Sequence, residues 1–161
     1  MSQISLPVRS PELSTLAAAV RRNRSGDPRP LTQANWHALS TVLLRRTAEP
    51  QTSFIREGEN ERRVYFVESG LLRVFRSQAR DKVQIGVIGA GGLVGEGAFF
   101  APSVRIASVE AIEPSVLWEL SAEGFDAMAQ RYPEDALAFV LFLGAVLSGR
   151  MRRPAGRLSV I

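Results

Sequence analysis

The chain has 161 residues, 45% of them hydrophobic and 22% charged, which is enough for one domain with a sizeable core and ordinary for a globular protein. It holds no cysteine and one histidine, which excludes a disulfide framework, a thiolate metal site and a cysteine nucleophile. The formal net charge of +4 sits in the tails: residues 1–31 contribute +3 and residues 150–161 contribute +4, while 32–149 carry −3, so the folded part offers no phosphate-tracking surface for nucleic acid.

Residues 1–30 read as an extension or linker, ending in RRNRSGDPRP, where Gly26, Pro28 and Pro30 stop any helix. Within it, 13–20 suits a short helix starting from Ser10-Pro11, able to dock on the domain or on a partner. No apolar targeting segment follows Met1, and the expected compartment is the cytoplasm. Thr32 then caps a helix whose apolar positions Trp36, Leu39, Val42 and Leu43 recur at three- and four-residue spacing and share one face. His37 lies on this helix. With no second histidine or cysteine to join it, it reads as a surface or packing residue and not as a catalyst or metal ligand.

From Gln51 to Leu120 short β-prone runs alternate with turn residues. Strands are predicted at 52–55, 64–68, 71–76, 83–88, 93–94, 105–111 and 116–120, too close together for crossover helices, so they should pair antiparallel in a sandwich or barrel. Ser69-Gly70 reads as a tight hairpin turn, and Lys82 beside Asp81 as a solvated turn residue. Gly89 to Gly95 approximates the glycine-rich turn of dinucleotide-binding sheets. That reading needs a long helix next, and Pro102 leaves room for one turn before another strand.

The stretch 95–111, GEGAFFAPSVRIASVEA, concentrates the chemistry. Gly95 and Gly97 strip side chains from the backbone, so that its N–H groups can approach a phosphate closely. Glu96 can accept hydrogen bonds from sugar hydroxyls, and Arg105 offers a planar fork of donors to phosphate oxygens.

After the strands, Ser121 caps a helix over 122–130, with Phe125 and Met128 on one face, and Pro133 starts the last element. Residues 136–147, ALAFVLFLGAVL, form an uninterrupted apolar run, well short of the ~18 residues of a membrane span. A helix apolar all round must be covered on more than one side. A second copy across a twofold axis is the expected cover, and a folded-back N-terminal segment is the other.

Glycine-glutamate, eight residues, then Arg105-Ile106-Ala107-Ser108 resembles the phosphate-binding cassette of the cyclic-nucleotide-binding domain, known from catabolite activators, regulatory subunits of cyclic-nucleotide-dependent kinases and cyclic-nucleotide-gated channels. Gly58-Glu59, the run Tyr65 to Gly70, and Gly89-Ala90-Gly91 resemble that family's other landmarks in order. The resemblance implies a mainly β fold with flanking helices: an antiparallel β-roll or jelly roll, also called a double-stranded β-helix, with an N-terminal helix and C-terminal helices. It divides the chain into the extension 1–30, the binding domain 31–153 and a basic tail 154–161.

It further implies that Gly95, Glu96, Gly97, Ala98, Arg105, Ile106, Ala107 and Ser108 contact the ligand, with Arg105 on the cyclic phosphate and Glu96 on the ribose 2′-hydroxyl. Ile106 cannot make the guanine contact that a threonine makes there in cGMP-selective relatives, which leans the ligand towards cAMP. The C-terminal helix would add a base contact, with Ser148 or Arg150 in reach, and pair with its copy in a homodimer.

Seven residues after Pro154 leave no space for a DNA-reading helix-turn-helix, so the expected function is a stand-alone regulatory module, signalling through its C-terminal helix to a partner. No catalytic residues, metal or catalytic cofactor are expected. Two alternatives stay open. One is a nucleotide-independent interaction module of the same fold, in which Glu96 and Arg105 form an internal ion pair; the other is a cyclic dinucleotide receptor.

Overall fold

The computed structural model describes residues 13–24, 27 and 29–152. The expected helix start at Ser10-Pro11 and the tail at 154–161 lie outside them. In chain order the elements are α1 (Ser14–Asn23), α2 (Gln33–Ser40), β1 (Leu44–Ala48), β2 (Ser53–Ile55), β3 (Arg63–Ser69), β4 (Leu71–Gln78) and β5 (Asp81–Gly89). There follow β6 (Leu93–Val94), α3 (Glu96–Phe100), β7 (Ser108–Ala111), β8 (Ser115–Ser121), α4 (Ala122–Arg131) and α5 (Pro133–Met151). The strands form two antiparallel four-stranded sheets, in the orders β1-β8-β3-β6 and β2-β7-β4-β5. This is the expected β-roll with helices at both ends.

Strand β3 shows why the sheets stack as they do. Its centre is apolar on both faces because both are covered: Val64 and Phe66 point to the helices, while Tyr65 and Val67 point to the second sheet. Phe66 lies 5.6 Å from Trp36 of α2 and 6.1 Å and 6.4 Å from Phe139 and Phe142 of α5, between ring centroids. Each such side chain contributes ~1.5–3 kcal/mol by leaving water, so this aromatic cluster seats α5 on the roll.

Helix α2 starts where Thr32 accepts from Asn35 N–H at 3.3 Å and Asn35 Oδ1 accepts from Thr32 N–H at 2.9 Å, a reciprocal capping box. Helix α1 forms inside the stretch read as an extension, and Leu13, Leu16 and Val20 belong to the same core as Phe66. Asn23 Nδ2 donates to the Ala90 carbonyl at 3.2 Å, and the Arg24 guanidinium lies 5.2 Å from the Phe142 ring centroid, so α1 bridges the glycine turn and α5.

Four expectations are corrected. Strand β1 is absent from the predicted elements: its sequence LRRTA carries two arginines, and the apolar spacing that marks α2 runs on to Leu43 although the helix ends at Ser40. Ser69-Gly70 is not a hairpin, because β3 and β4 belong to different sheets. Gly70, at φ +98°, turns the chain from one sheet to the other so closely that a Cβ would lie 2.1 Å from Ser115 Oγ.

Residues 105–107 are not strand; the Arg105 N–H and carbonyl pair with the Glu59 carbonyl and Gly58 N–H, each at 2.8 Å, in place of a ladder. Lys82 is not merely solvated: its Nζ donates to Glu110 Oε2 at 2.9 Å and sits 4.5 Å from the Phe75 ring centroid.

The segment between β6 and β7 positions the site. The glycine run leads into the five residues of α3 and then, past Pro102, to β7, so no long helix of a dinucleotide-binding unit exists. Arg62 at the edge of β3 donates from Nε and Nη2 to the Phe99 carbonyl at 3.1 Å and 2.9 Å, pinning the end of α3, and the Phe99 ring packs edge-on against Phe125 of α4 at 5.5 Å. Through Phe125 and Phe139, 6.2 Å apart, the loop is in packed contact with α5.

Candidate ligand-binding site

Gly95 opens the site. It has φ +92°, and a Cβ there would lie 2.5 Å from the Arg63 carbonyl oxygen and 2.9 Å from Arg105 Nη1, so only glycine lets the arginine in. Arg105 is 4% exposed. Its Nη1 donates to the Gly95 carbonyl at 3.0 Å and its Nη2 to the Arg63 carbonyl at 2.7 Å. A guanidinium has five N–H donors, so the two engaged here leave three for a ligand while the carbonyls fix its plane. Burial pulls its pKa below the usual arginine range, against the opposing charges of Glu61, Glu59 and Glu96 and the neighbouring Tyr65. An incoming anion would favour the charged form.

Tyr65, inside the roll beside this arginine, is pushed up to about 12 by burial and then by the charge of Glu119, so it is a neutral phenol at neutral pH. Glu119 is itself held by Arg46 Nε at 3.2 Å and Arg63 Nη1 at 3.7 Å.

Glu96 is 0% exposed. Its Oε1 accepts from Arg150 Nη1, and Arg150 Nη2 donates to the Leu93 carbonyl. The Glu96–Arg105 ion pair of the nucleotide-independent alternative is not formed: Glu96 pairs with the arginine at the end of α5, and Arg105 senses it at longer range. Arg150, named above as in reach of the base, is buried, with Nη1 on Glu96 and Nη2 on the Leu93 carbonyl. Ser148 is exposed on α5, its Oγ accepting from Arg152 Nη2 at 3.1 Å.

Between α3 and the loop after it lies a cleft of about 190 Å³ lined by Gly97, Ala98, Ser103, Val104, Arg105, Ile106 and Ala107. Five of the eight residues singled out in the sequence thus share one cleft, and Gly95 and Glu96 adjoin it. The eighth, Ser108, is turned away, its Oγ accepting from the Glu57 N–H at 2.9 Å. Ile106 is 48% exposed at the rim. Sequence reasoning missed Ser103 and Val104, which fall in the gap between the two halves of the motif, and it missed the Arg150 contact, for which a separation of 54 residues gives no local signal.

The model of the cyclic nucleotide-binding domain family matches residues 45–132, more than half the chain, and the chain belongs to that family of regulatory nucleotide-binding domains. It is 31% identical over 124 residues to the mouse potassium/sodium hyperpolarization-activated cyclic nucleotide-gated channel 3, covering 77% of this chain and only 15% of the channel. In structure it is similar to a cyclic nucleotide-binding domain from Methylobacillus flagellatus, with a TM-score of 0.78 at 18% identity, over 92% of this chain and 83% of that one. It is also similar to the regulatory domain of Toxoplasma gondii PKA solved with cAMP, with a TM-score of 0.62 at 24% identity, over 74% of this chain and 45% of that one. Among the described residues no helix is long and apolar enough to cross a membrane.

Proposed function

We propose that the chain is a regulatory module that binds a cyclic nucleotide in the cleft beside Arg105, cAMP in preference to cGMP, and passes occupancy to α5. The observation that carries this is the buried pair Glu96–Arg150. The carboxylate proposed to take the ribose hydroxyl is held by the last turn of the helix proposed to move, so a sugar bonding to Glu96 changes the environment of the group that anchors α5. Arg105 takes the cyclic phosphate, and the backbones of Gly97, Ala98 and Ala107 with the side chain of Ile106 complete the cleft. Ile106 offers no hydrogen bond to guanine, and the Toxoplasma relative was solved with cAMP; both favour cAMP.

The receiving surface is α5. Its inward residues Phe139, Phe142, Leu143 and Val146 are buried, whereas Leu137, Leu141 and Met151 are exposed at 61%, 42% and 68% on the other side. Leu137 and Leu141 are four residues apart and so adjacent on one helical face, which supports a homodimer through α5, placed in the cytoplasm.

Calorimetry of the purified chain and its Arg105→Ala variant with cAMP and cGMP tests the reading. Saturable binding that the variant loses supports it, since removing a charge-assisted fork from phosphate costs ~2–4 kcal/mol. A wild-type chain that takes up neither nucleotide overturns it, in favour of a cyclic dinucleotide receptor if a cyclic dinucleotide binds and of a nucleotide-independent interaction module if that too fails to bind.

A further inference from the structure

Of the seven residues lining the cleft, only Arg105 and Ser103 carry side chains that can form hydrogen bonds; the others are Gly97, Ala98, Val104, Ile106 and Ala107. Ser108, the hydroxyl that the sequence places in the motif, is committed to the Glu57 N–H. Ser103 is exposed, and its hydroxyl bonds no described residue. The chain leaves α3 extended at Ala101, with φ −139° and ψ 145°, and Pro102 prevents it from continuing as helix, which brings residue 103 back to the cleft two positions before the arginine.

We propose that Ser103 is the second phosphate-binding side chain of the site, its O–H donating to one exocyclic oxygen of a cyclic phosphodiester whose charge is met by Arg105. This rests on the nucleotide reading above. A hydroxyl bonds one oxygen, whereas a guanidinium spans two, so Ser103 distinguishes the two exocyclic oxygens of the cyclic phosphate.

The test is calorimetry of wild type, Ser103→Ala and Ser103→Thr with cAMP and with its two phosphorothioate diastereomers, in which one exocyclic oxygen or the other is sulfur, a weaker acceptor. Ser103→Ala should bind cAMP roughly 10-fold more weakly at an unchanged melting temperature, Ser103→Thr should stay close to wild type, and the alanine variant should lose the wild type's discrimination between diastereomers. Wild-type affinity and undiminished discrimination in Ser103→Ala would overturn the assignment and leave the nucleotide reading standing. A wild-type chain that binds none of the three would overturn that reading and this one with it.

Discussion

Glu96 and Glu110 are both buried carboxylates held by arginine, and they differ in where their partners come from. Glu110, on β7, is bonded by Arg73 of β4 and by Lys82 of β5, strands of its own sheet, both partly exposed. Glu96 is bonded by Arg150 from the far end of a helix that belongs to neither sheet, and that pair is buried on both sides. A carboxylate satisfied inside one hydrogen-bonded sheet can only stabilise that sheet. One satisfied between the α3 loop and the end of α5 ties that loop to the helix, and the proposed transmission depends on that link.

The comparison breaks most clearly at Arg150. Arg150→Ala removes the buried Arg150–Glu96 ion pair and should cost about 3–5 kcal/mol in urea unfolding, with much of the loss recovered in the Arg150→Met, Glu96→Gln double variant. Arg105→Ala should cost ~2–4 kcal/mol in cAMP binding by calorimetry and much less in stability, because its guanidinium holds carbonyls and no buried ion pair.

Glu110→Gln should cost about 1–2 kcal/mol, less than Arg150→Ala because its cations are partly solvated. It should also change the acid limb. Burial would raise the Glu110 pKa, but hydrogen bonds from Arg73 and Lys82 outweigh it and hold the carboxyl below its usual value. Its contribution is therefore present above the ordinary glutamate pKa of about 4.3 and lost as pH falls below it through the depressed value; urea midpoints measured from pH 6 to pH 2 should fall less steeply in the glutamine variant. Last, Thr32→Ala removes half of the α2 capping box and should cost ~1 kcal/mol with no change in nucleotide affinity.

Much of this was legible in the sequence because its causes are local. The short β-prone runs between turn residues mark β3, β4 and β5, the caps Thr32 and Ser121 mark α2 and α4, and five of the residues singled out in the glycine-carboxylate-arginine stretch line one cleft that Gly95 and Glu96 adjoin. What was not legible depends on partners far along the chain. Strand β1 contributes few apolar side chains and is a strand because β8 pairs with it from Leu44 to Ala48. Ser69-Gly70 resembles a hairpin in any local reading, and only the sheet order shows that the chain changes sheets there. The register of α5 follows from which side of an all-apolar run packs on Phe66, so its sequence could not say that Arg150 would face Glu96 and Ser148 would face solvent.

The coupling between cleft and helix is tested most directly by a distance measurement with and without ligand. The chain has no native cysteine, so Arg45→Cys on β1 and Ser148→Cys on α5, both exposed, can carry the only two spin labels, diluted into unlabelled chain to isolate intramolecular distances. Saturating cAMP should shift the label–label distance distribution, and the Arg105→Ala background should not respond. An identical distribution with and without cAMP, in a sample that calorimetry shows to bind it, would contradict transmission through α5.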